Sequence, residues 1–597
     1  MAMTPSSYRA LPPRDVTLLP GELRRRAELN RTYLLSLTNA NLLQNYYQEA
    51  GLWNPRQRPE GIHWGWEAPT CQLRGHFLGH WLSAAASLYA ATGDAEAKAK
   101  ANVIVSELAR CQEANGGEWA GSIPEKYLDW IARGRQIWAP HYTVHKTLMG
   151  LCDMVALTGS EQALDVLTRW ASWFHRWTGQ FSRRQLDDIL DVETGGMLEV
   201  WANLYGVTGR EEHLELMQRY DRPRLFERLL AGEDPLTNQH ANTTIPEVHG
   251  AARAYEVTGD TRWRDIVHAY WRQAVTLRGA YVTGGQTSGE IWSPPQELAA
   301  RLGDKNQEHC VVYNMMLLAS TLLRWTGDPT YADYWEANFY NGILAQQNPH
   351  TGMIAYFLPL EPGAVKCWGT PTDDFWCCHG TLVQAHAIHG RDVYYEDDDG
   401  LLVAQYLPTE LRWRRGGTPV RLRQTTDTQT SSTHRPRAQV VDLTVASGQP
   451  AEWTLKLRLP RWIDGAASVE LNGEPLPVRA APGEILALRR TWGEDHLRLT
   501  LPRRLASVPL PDDPSRVAFV DGPIALAGLC DDERTLYADG DPASLLAPDN
   551  EREWTMWRPA YRTRGQPSNI RFLPLHEIVD QPYTTYFPIA PRAAAVD

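Results

Sequence analysis

Leu88-Tyr89-Ala90-Ala91-Thr92-Gly93-Asp94 returns twice along the chain, as Leu204-Tyr205-Gly206-Val207-Thr208-Gly209-Arg210 and as Ala254-Tyr255-Glu256-Val257-Thr258-Gly259-Asp260. Looser copies end at Thr158-Gly159-Ser160 and Thr326-Gly327-Asp328. Each copy closes a stretch with apolar residues at helical spacing, such as His80-Trp81-Leu82-Ser83-Ala84-Ala85-Ala86-Ser87-Leu88-Tyr89. The glycine therefore stands where a helix ends, and the polar residue after it can start the next helix. Successive glycines lie 66, 50, 50 and 68 residues apart, which leaves room for two helices and their loops, so the unit is a helical hairpin. Hairpins can stack into an open solenoid or close into a ring. Long Trp/His/Gly-rich connections such as residues 115–142 favour the ring, where they would gather at one end and wall a pocket. Residues 1–395 are predicted to form an (α/α)6 barrel.

Beyond Arg391 the period changes from helical to alternating. Leu401-Leu402-Val403-Ala404-Gln405-Tyr406, Val420-Arg421-Leu422-Arg423 and Trp453 to Leu459 read as strands, as do Ser468-Val469-Glu470-Leu471 and His496 to Leu501, with Asn472-Gly473 marking a tight hairpin. Short strands between Pro/Gly turns predict a β-sandwich over 396–505. A second β-rich module follows over 506–597, opening with Val517-Ala518-Phe519-Val520-Asp521-Gly522-Pro523. The fold class is thus mainly α plus β. Neither β region concentrates His, Cys or paired carboxylates, which leaves the chemistry to the barrel.

A chain of 597 residues exceeds one ordinary core, and 43% hydrophobic with 22% charged residues fits a globular protein. A net charge of -12 argues against nucleic acid or an anionic membrane as partner. No apolar run approaches the roughly 20 residues of a membrane span. The N-terminal stretch to Asp15 has neither a basic nor an apolar signal-peptide region, so a cytoplasmic location is expected. The eight cysteines are too sparse for a disulfide framework, but Cys310, Cys367, Cys377 and Cys378 crowd together. The 24 tryptophans suit sugar stacking and large helical cores equally.

Three features fall close together, with 89 residues from Glu290 to Cys378 counted inclusively: Thr283-Gly284-Gly285-Gln286-Thr287-Ser288-Gly289-Glu290, Glu308-His309-Cys310, and Cys377-Cys378. Soft thiolates with one carboxylate suit Zn2+, which takes sulfur and oxygen at four tetrahedral positions. Glu308, Cys310, Cys377 and Cys378 supply four such ligands. Against this stand a strained vicinal disulfide, a buried core thiol at Cys310 and a plain surface role for His309. Metal coordination deprotonates a thiol outright, and a thiolate can act as both nucleophile and leaving group. Glycoside hydrolysis through a covalent intermediate pairs such a nucleophile with an acid/base, for which Glu290 is the natural candidate. A solvated loop glutamate is the alternative there. His76 and His80 lie four apart on one helical face and are read as packing or helix-end groups. Trp66-Glu67 is read as pocket floor or structural support, and Arg24-Arg25-Arg26 as a solvated helix face.

The Gly-Gly-…-Gly-Glu run, Glu-x-Cys and Cys-Cys-x-Gly, in this order behind helical hairpins, resemble glycoside hydrolase families 127 and 146, the β-L-arabinofuranosidases. Gly75-His76-Phe77-Leu78-Gly79-His80, Gly195-Gly196-Met197-Leu198-Glu199-Val200 and His240-Ala241-Asn242-Thr243 are similar to family 146 in particular. The resemblance runs from about Val16 to Pro523. It implies retaining hydrolysis of terminal β-L-arabinofuranosides, with Cys377 as nucleophile, Glu290 as acid/base, and Zn2+ on Glu308, Cys310, Cys377 and Cys378. His240, His145 and His141 correspond to sugar-contacting histidines. An arabinose-containing oligosaccharide or glycan is the expected partner, and a homo-oligomer is allowed. Two positions depart from the pattern: Thr194 stands where histidine is usual, and Leu198 where asparagine is commoner. They leave open a different furanose handled by the same mechanism. A zinc-stapled carbohydrate-binding barrel without catalysis is a further alternative, as is a lyase or epimerase with a Tyr or His base, which has no use for three clustered thiols.

Overall fold

The computed structural model describes residues 7–54, 61–427, 438–549 and 559–592. Residues 1–6, part of the stretch read as lacking a secretory signal, lie outside them.

Twelve helices build two concentric layers. The outer layer comprises α1 (Glu22–Ser36), α3 (Ala95–Ala114), α5 (Glu161–Thr178), α7 (Glu211–Arg219), α9 (Thr261–Trp271) and α11 (Thr330–Asn338). Between them in sequence come the inner helices α2 (His76–Thr92), α4 (Pro140–Thr158), α6 (Met197–Thr208), α8 (Ala241–Thr258), α10 (His309–Thr326) and α12 (Cys377–Ala385). Each inner helix packs on the next, and α12 returns to α2, so the ring closes. This is the (α/α)6 barrel. Inner α2 is buried on every side from His76 to Ala86, whereas outer α3 buries one stripe, Ala97, Ala101, Ile104, Val105 and Leu108.

The repeated Thr-Gly-Asp is the device that turns the chain from inner to outer helix. Gly93, Gly159, Gly209, Gly259 and Gly327 cap five inner helices with φ of 74, 70, 65, 76 and 73°, which glycine adopts without strain. Before each glycine, a threonine hydroxyl donates to the carbonyl four residues back, as from Thr92 to Leu88 at 2.7 Å and from Thr258 to Ala254 at 2.6 Å. After it, Asp94 accepts from Ala97 N at 2.9 Å, Ser160 from Ala163 N at 3.2 Å and Asp260 from Arg262 N at 2.9 Å, capping the outer helices. One turn chemistry, used five times, sets all the inner helices in the same direction. Their N-termini, and the long connections leading to them, share the opposite end.

Of the basic run in α1, Arg24 and Arg25 are exposed. Arg26 is not: it is 2% exposed and bonds Glu22 and the Gln347 carbonyl, so the solvated face is two arginines wide.

The strands after residue 393 form the expected β layers. A ten-stranded sheet system includes Gly400–Val403, Thr418–Asp427, Ala438–Arg458, Ser468–Leu471 and Ile485–Pro502. Val469 pairs with Leu476 and Leu471 with Glu474 around Asn472-Gly473, whose φ of 54 and 85° make the two-residue hairpin. The N-terminal strands Arg9–Ala10 and Val16–Leu18 join this layer by pairing with Tyr394–Glu396 and Thr409–Arg415. A second, eight-stranded sheet begins at Leu505–Pro509. It packs against the barrel beside the Glu290 loop: Tyr586 Oη accepts from Val282 N at 2.7 Å, and Asp512 Oδ2 from Leu298 N at 2.8 Å. No described helix is long and apolar enough to cross a membrane.

Candidate active site

The site forms where the first turns of the inner helices converge. Glu308 is the N-cap residue of α10, and Cys310 lies in its first turn. Cys377 and Cys378 open α12 behind the N-cap residue Trp376. All four side chains are buried, and their ligand atoms lie within 4.8 Å of one another, a group able to hold a metal ion. Sγ–Sγ separations are 3.3 Å for Cys310 to Cys378 and 3.9 Å for Cys377 to Cys378, and Cys377 Sγ lies 3.7 Å from Glu308 Oε1. A disulfide, which needs about 2.05 Å, is absent: all three thiols are free. Glu308 Oε2 is buried with no hydrogen-bond partner among the described residues, an acceptor that a cation would satisfy. Cys367 is exposed and outside the cluster.

Electrostatics single out one thiol. Burial works against the ionisation of Cys377, but its hydrogen bonds with Cys310, Cys378 and Tyr356 outweigh it and hold Cys377 well below the usual thiol range. Burial pushes Cys310 and Cys378 up instead, and Glu308 well above its ordinary value. Both cysteines of the vicinal pair sit at the positive end of a helix, which favours a thiolate there.

Glu290 reaches the same spot from the Gly-rich loop. It takes the left-handed conformation at φ 68°, and its carbonyl accepts from Ala241 N at 2.8 Å, fixing the loop to the start of α8. Its carboxylate accepts a hydrogen bond from Tyr356 Oη, and the same hydroxyl lies 3.4 Å from Cys377 Sγ. His240 Nε2 approaches Glu290 Oε2 at 3.5 Å. Ala139, Asn238, Gln307 and Phe375, each one or two residues ahead of an inner helix or its cap, also have positive φ. Such costly backbone is concentrated at this end of the barrel.

The other sequence candidates separate by position. His141 is turned into the helical layers, 3.1 Å from Tyr220 Oη and 3.3 Å from Glu193 Oε2. His145 lies deeper inside the ring against Gly196, with neither ring nitrogen bonded among the described residues. His76 bonds the Phe375 carbonyl at 2.8 Å and Tyr142 Oη at 3.2 Å, and His80 bonds Gln384 at 2.6 Å, the packing role expected of both. Glu67 accepts from Gly75 N and Phe77 N at the start of α2, a structural role, while Trp66 packs beside Tyr356 and His76. Thr194 is buried, and Leu198 packs on Gly250 of α8. Tyr356 and Tyr142 were not singled out from sequence. Tyr142 stood between His141 and His145, and Tyr356 lay in the unremarked run Ile354-Ala355-Tyr356-Phe357. The sequence signal for both was an aromatic residue in the connections already expected to wall the pocket.

Comparison with known proteins agrees with this arrangement. The profile of the β-L-arabinofuranosidase GH127 catalytic domain matches residues 15–391, and that of the GH127 middle domain matches residues 400–503. A non-reducing end β-L-arabinofuranosidase of Bifidobacterium longum is 25% identical over 456 residues, 66% of this chain and 65% of that protein. The chain thus spans about two-thirds of the length of this curated relative. Among solved structures, a GH127 β-L-arabinofuranosidase from Geobacillus stearothermophilus T6 superposes with a TM-score of 0.71 at 18% identity, covering 96% of this chain and all of that one. A second GH127 β-arabinofuranosidase gives 0.74 at 16% identity, covering 98% of each. With the catalytic-domain profile spanning more than half of its length, the chain belongs to the GH127 β-L-arabinofuranosidase family.

Proposed function

We propose that the protein is a retaining exo-glycosidase that hydrolyses terminal β-L-arabinofuranosides, with Cys377 as nucleophile and Glu290 as acid/base. The observation that carries this reading is the hydroxyl of Tyr356, which touches both groups. Two atoms in contact with one oxygen at these distances are less than about 6 Å apart, whatever the angle between them. Retaining glycosidases hold their pair about 5–5.5 Å apart, whereas inverting ones need about 6.5–9.5 Å to admit a water.

Cys377 sulfur would bond to the anomeric carbon as the glycosidic C–O bond breaks, while the Glu290 proton passes to the leaving oxygen. The Glu290 carboxylate would then take a proton from water, whose oxygen displaces the thiolate and returns the sugar with its configuration retained. Trp66 and Tyr142, packed against the cysteine cluster, supply apolar surface for the ring. His240, beside Glu290, is the histidine whose position supports sugar contact; for His145 and His141 the support is the family resemblance alone.

Glu308, Cys310, Cys377 and Cys378 fit Zn2+. Bond lengths of about 2.3 Å to sulfur and about 2.0 Å to oxygen give tetrahedral edges of about 3.8 and 3.5 Å, close to the separations among these side chains. Bound there, zinc would keep the thiols deprotonated and fix their positions.

Support for the arabinose assignment comes from the family and from the relative's non-reducing-end specificity. The test is a panel of aryl α- and β-L-arabinofuranosides and D-galactofuranosides, with metal analysis of the protein and NMR of the first-formed anomer. Turnover of the β-L-arabinofuranoside with retained configuration and one zinc per chain is expected. Turnover of another glycoside alone, or an inverted product, overturns the reading.

A further inference from the structure

The catalytic pocket must also receive the group from which the terminal sugar is cleaved. Its linking oxygen lies beside the acid/base, and the rest of it extends away from the nucleophile toward solvent.

Three aromatic rings run in that outward direction. Tyr356, whose hydroxyl touches Cys377 and Glu290, meets Trp66 edge-on, with ring centroids 6.4 Å apart and planes at 74°. Trp66 meets Trp138 in the same way, at 5.0 Å and 72°. Burial falls away along the row: Tyr356 and Trp66 are half-buried, and Trp138 is 50% exposed. The row thus leads from the reacting groups to the rim, and two ring contacts span a length comparable to two linked sugar rings.

The backbone holds both tryptophans in place. Trp64 N donates to the Thr372 carbonyl and Trp66 N to the Asp374 carbonyl, each at 2.9 Å, which straps this segment to the one that ends in Cys377. Between them Gly65 has φ 56°, and a Cβ there would stand 2.1 Å from the Asp374 carbonyl oxygen, so only glycine permits the contact. Trp138 N donates to Gln72 Oε1 at 2.7 Å. The next residue, Ala139, takes φ 44° immediately before Pro140, a costly backbone for alanine at the point where the connection enters α4.

Single exposed apolar side chains are common on any surface. Trp138 differs in being tethered and in continuing a row of rings that reaches the catalytic pair. An edge-on contact covers at most one face of an indole, so Trp138 keeps a face for a ligand. A sugar ring offers the matching surface, apolar C–H groups on its face and hydroxyls at its edge.

We propose that Trp138 is the stacking platform of an acceptor subsite, which binds the sugar ring to which the terminal residue is linked. The substrate class is then an oligosaccharide, with a second sugar beside the cleaved bond rather than a peptide or a simple alcohol. The subsite rests on Cys377 and Glu290 as the catalytic pair.

Kinetics on two substrates test it: one glycone as its methyl glycoside, and the same glycone joined to a second sugar ring. The glycone is the one that wild type turns over in the panel above, so failure of the arabinose assignment and failure of the subsite register separately. Burying one ring face is worth on the order of 10-fold. Trp138→Ala is therefore expected to lower the ratio of kcat/KM for the disaccharide to that for the methyl glycoside about 10-fold, and Trp138→Tyr to restore most of it. A ring that merely supports the fold would act on both substrates alike. A ratio unchanged in both variants overturns the proposal, whatever the absolute rates.

Discussion

At Cys377 two effects oppose each other: burial favours the neutral thiol, and hydrogen bonds with Tyr356 and the neighbouring cysteines favour the thiolate more strongly. On the proposed mechanism, replacing the sulfur by oxygen would remove both the soft ligand and the nucleophile. Cys377→Ser should lower kcat/KM on the order of 10^4-fold in a protein that still folds, measured with an aryl β-L-arabinofuranoside. Glu290→Gln should cost about 10^2- to 10^4-fold, and less for substrates whose leaving group needs no proton. Tyr356→Phe tests the bridge itself. Loss of a hydrogen bond to a charged group, worth about 1.5–3 kcal/mol, predicts roughly a 10- to 150-fold fall. Because the Tyr356 hydroxyl holds Cys377 down, its removal should also move the acidic limb of the pH–rate profile to higher pH; an unmoved limb would separate Tyr356 from the thiolate. The clustering of Glu308, Cys310, Cys377 and Cys378 was legible in sequence because thiols and one carboxylate at short spacings have few other joint uses. Tyr356 was not, because nothing in a lone loop tyrosine says which two groups its hydroxyl will touch.

Among the elements, two kinds of glycine hold the ring and should respond differently to a methyl group. Gly93 caps α2 at φ 74°, with no atom near enough to meet a Cβ. Gly93→Ala should cost only the left-handed backbone penalty, about 1 kcal/mol. A Cβ on Gly79 would stand 1.9 Å from the Lys146 carbonyl, where α2 crosses α4. Gly79→Ala should cost about 3 kcal/mol or more, because two backbones must separate; urea unfolding of both variants checks the contrast. The Thr-Gly-Asp repeat made the hairpins readable, since its turn chemistry is local and recurs. The direction of individual side chains on the inner helices was not readable: with every face buried there is no polar stripe to set rotation. Tyr142 thus meets the cysteines while His141, one residue earlier, turns outward to Tyr220.

For the whole molecule, burial leaves many histidines neutral. His63, His76, His249 and His379 are lowered to about 4, and His309, His389 and His576 to about 3. A histidine with a lowered folded pKa contributes stability above its unfolded value of about 6.5, and that stability is lost as pH falls through the folded value. Glu67, Glu199 and Glu247, raised to about 7, act in the opposite direction, but they are fewer. Thermal stability should therefore fall between pH 6.5 and 4 with net proton uptake on unfolding, as calorimetry at several pH values would register. Tyr586 and Asp512 of the last β layer brace both ends of the Glu290 loop, a long-range dependence that no local motif announces. The strands themselves were plain from their alternation. The pairing of Arg9–Ala10 and Val16–Leu18 with the β-sandwich was not, because two- and three-residue edge strands carry no period.

The most direct test of the central claim is peptide mass spectrometry of the Glu290→Gln variant after brief reaction with a β-L-arabinofuranoside bearing a good leaving group. Protonation of the leaving group is then not needed, while the missing carboxylate slows release of the sugar. One anhydropentose on the peptide carrying Cys377 is the predicted result. Turnover with that peptide unmodified and the pentose on another side chain, or undiminished turnover by Cys377→Ser, would contradict it.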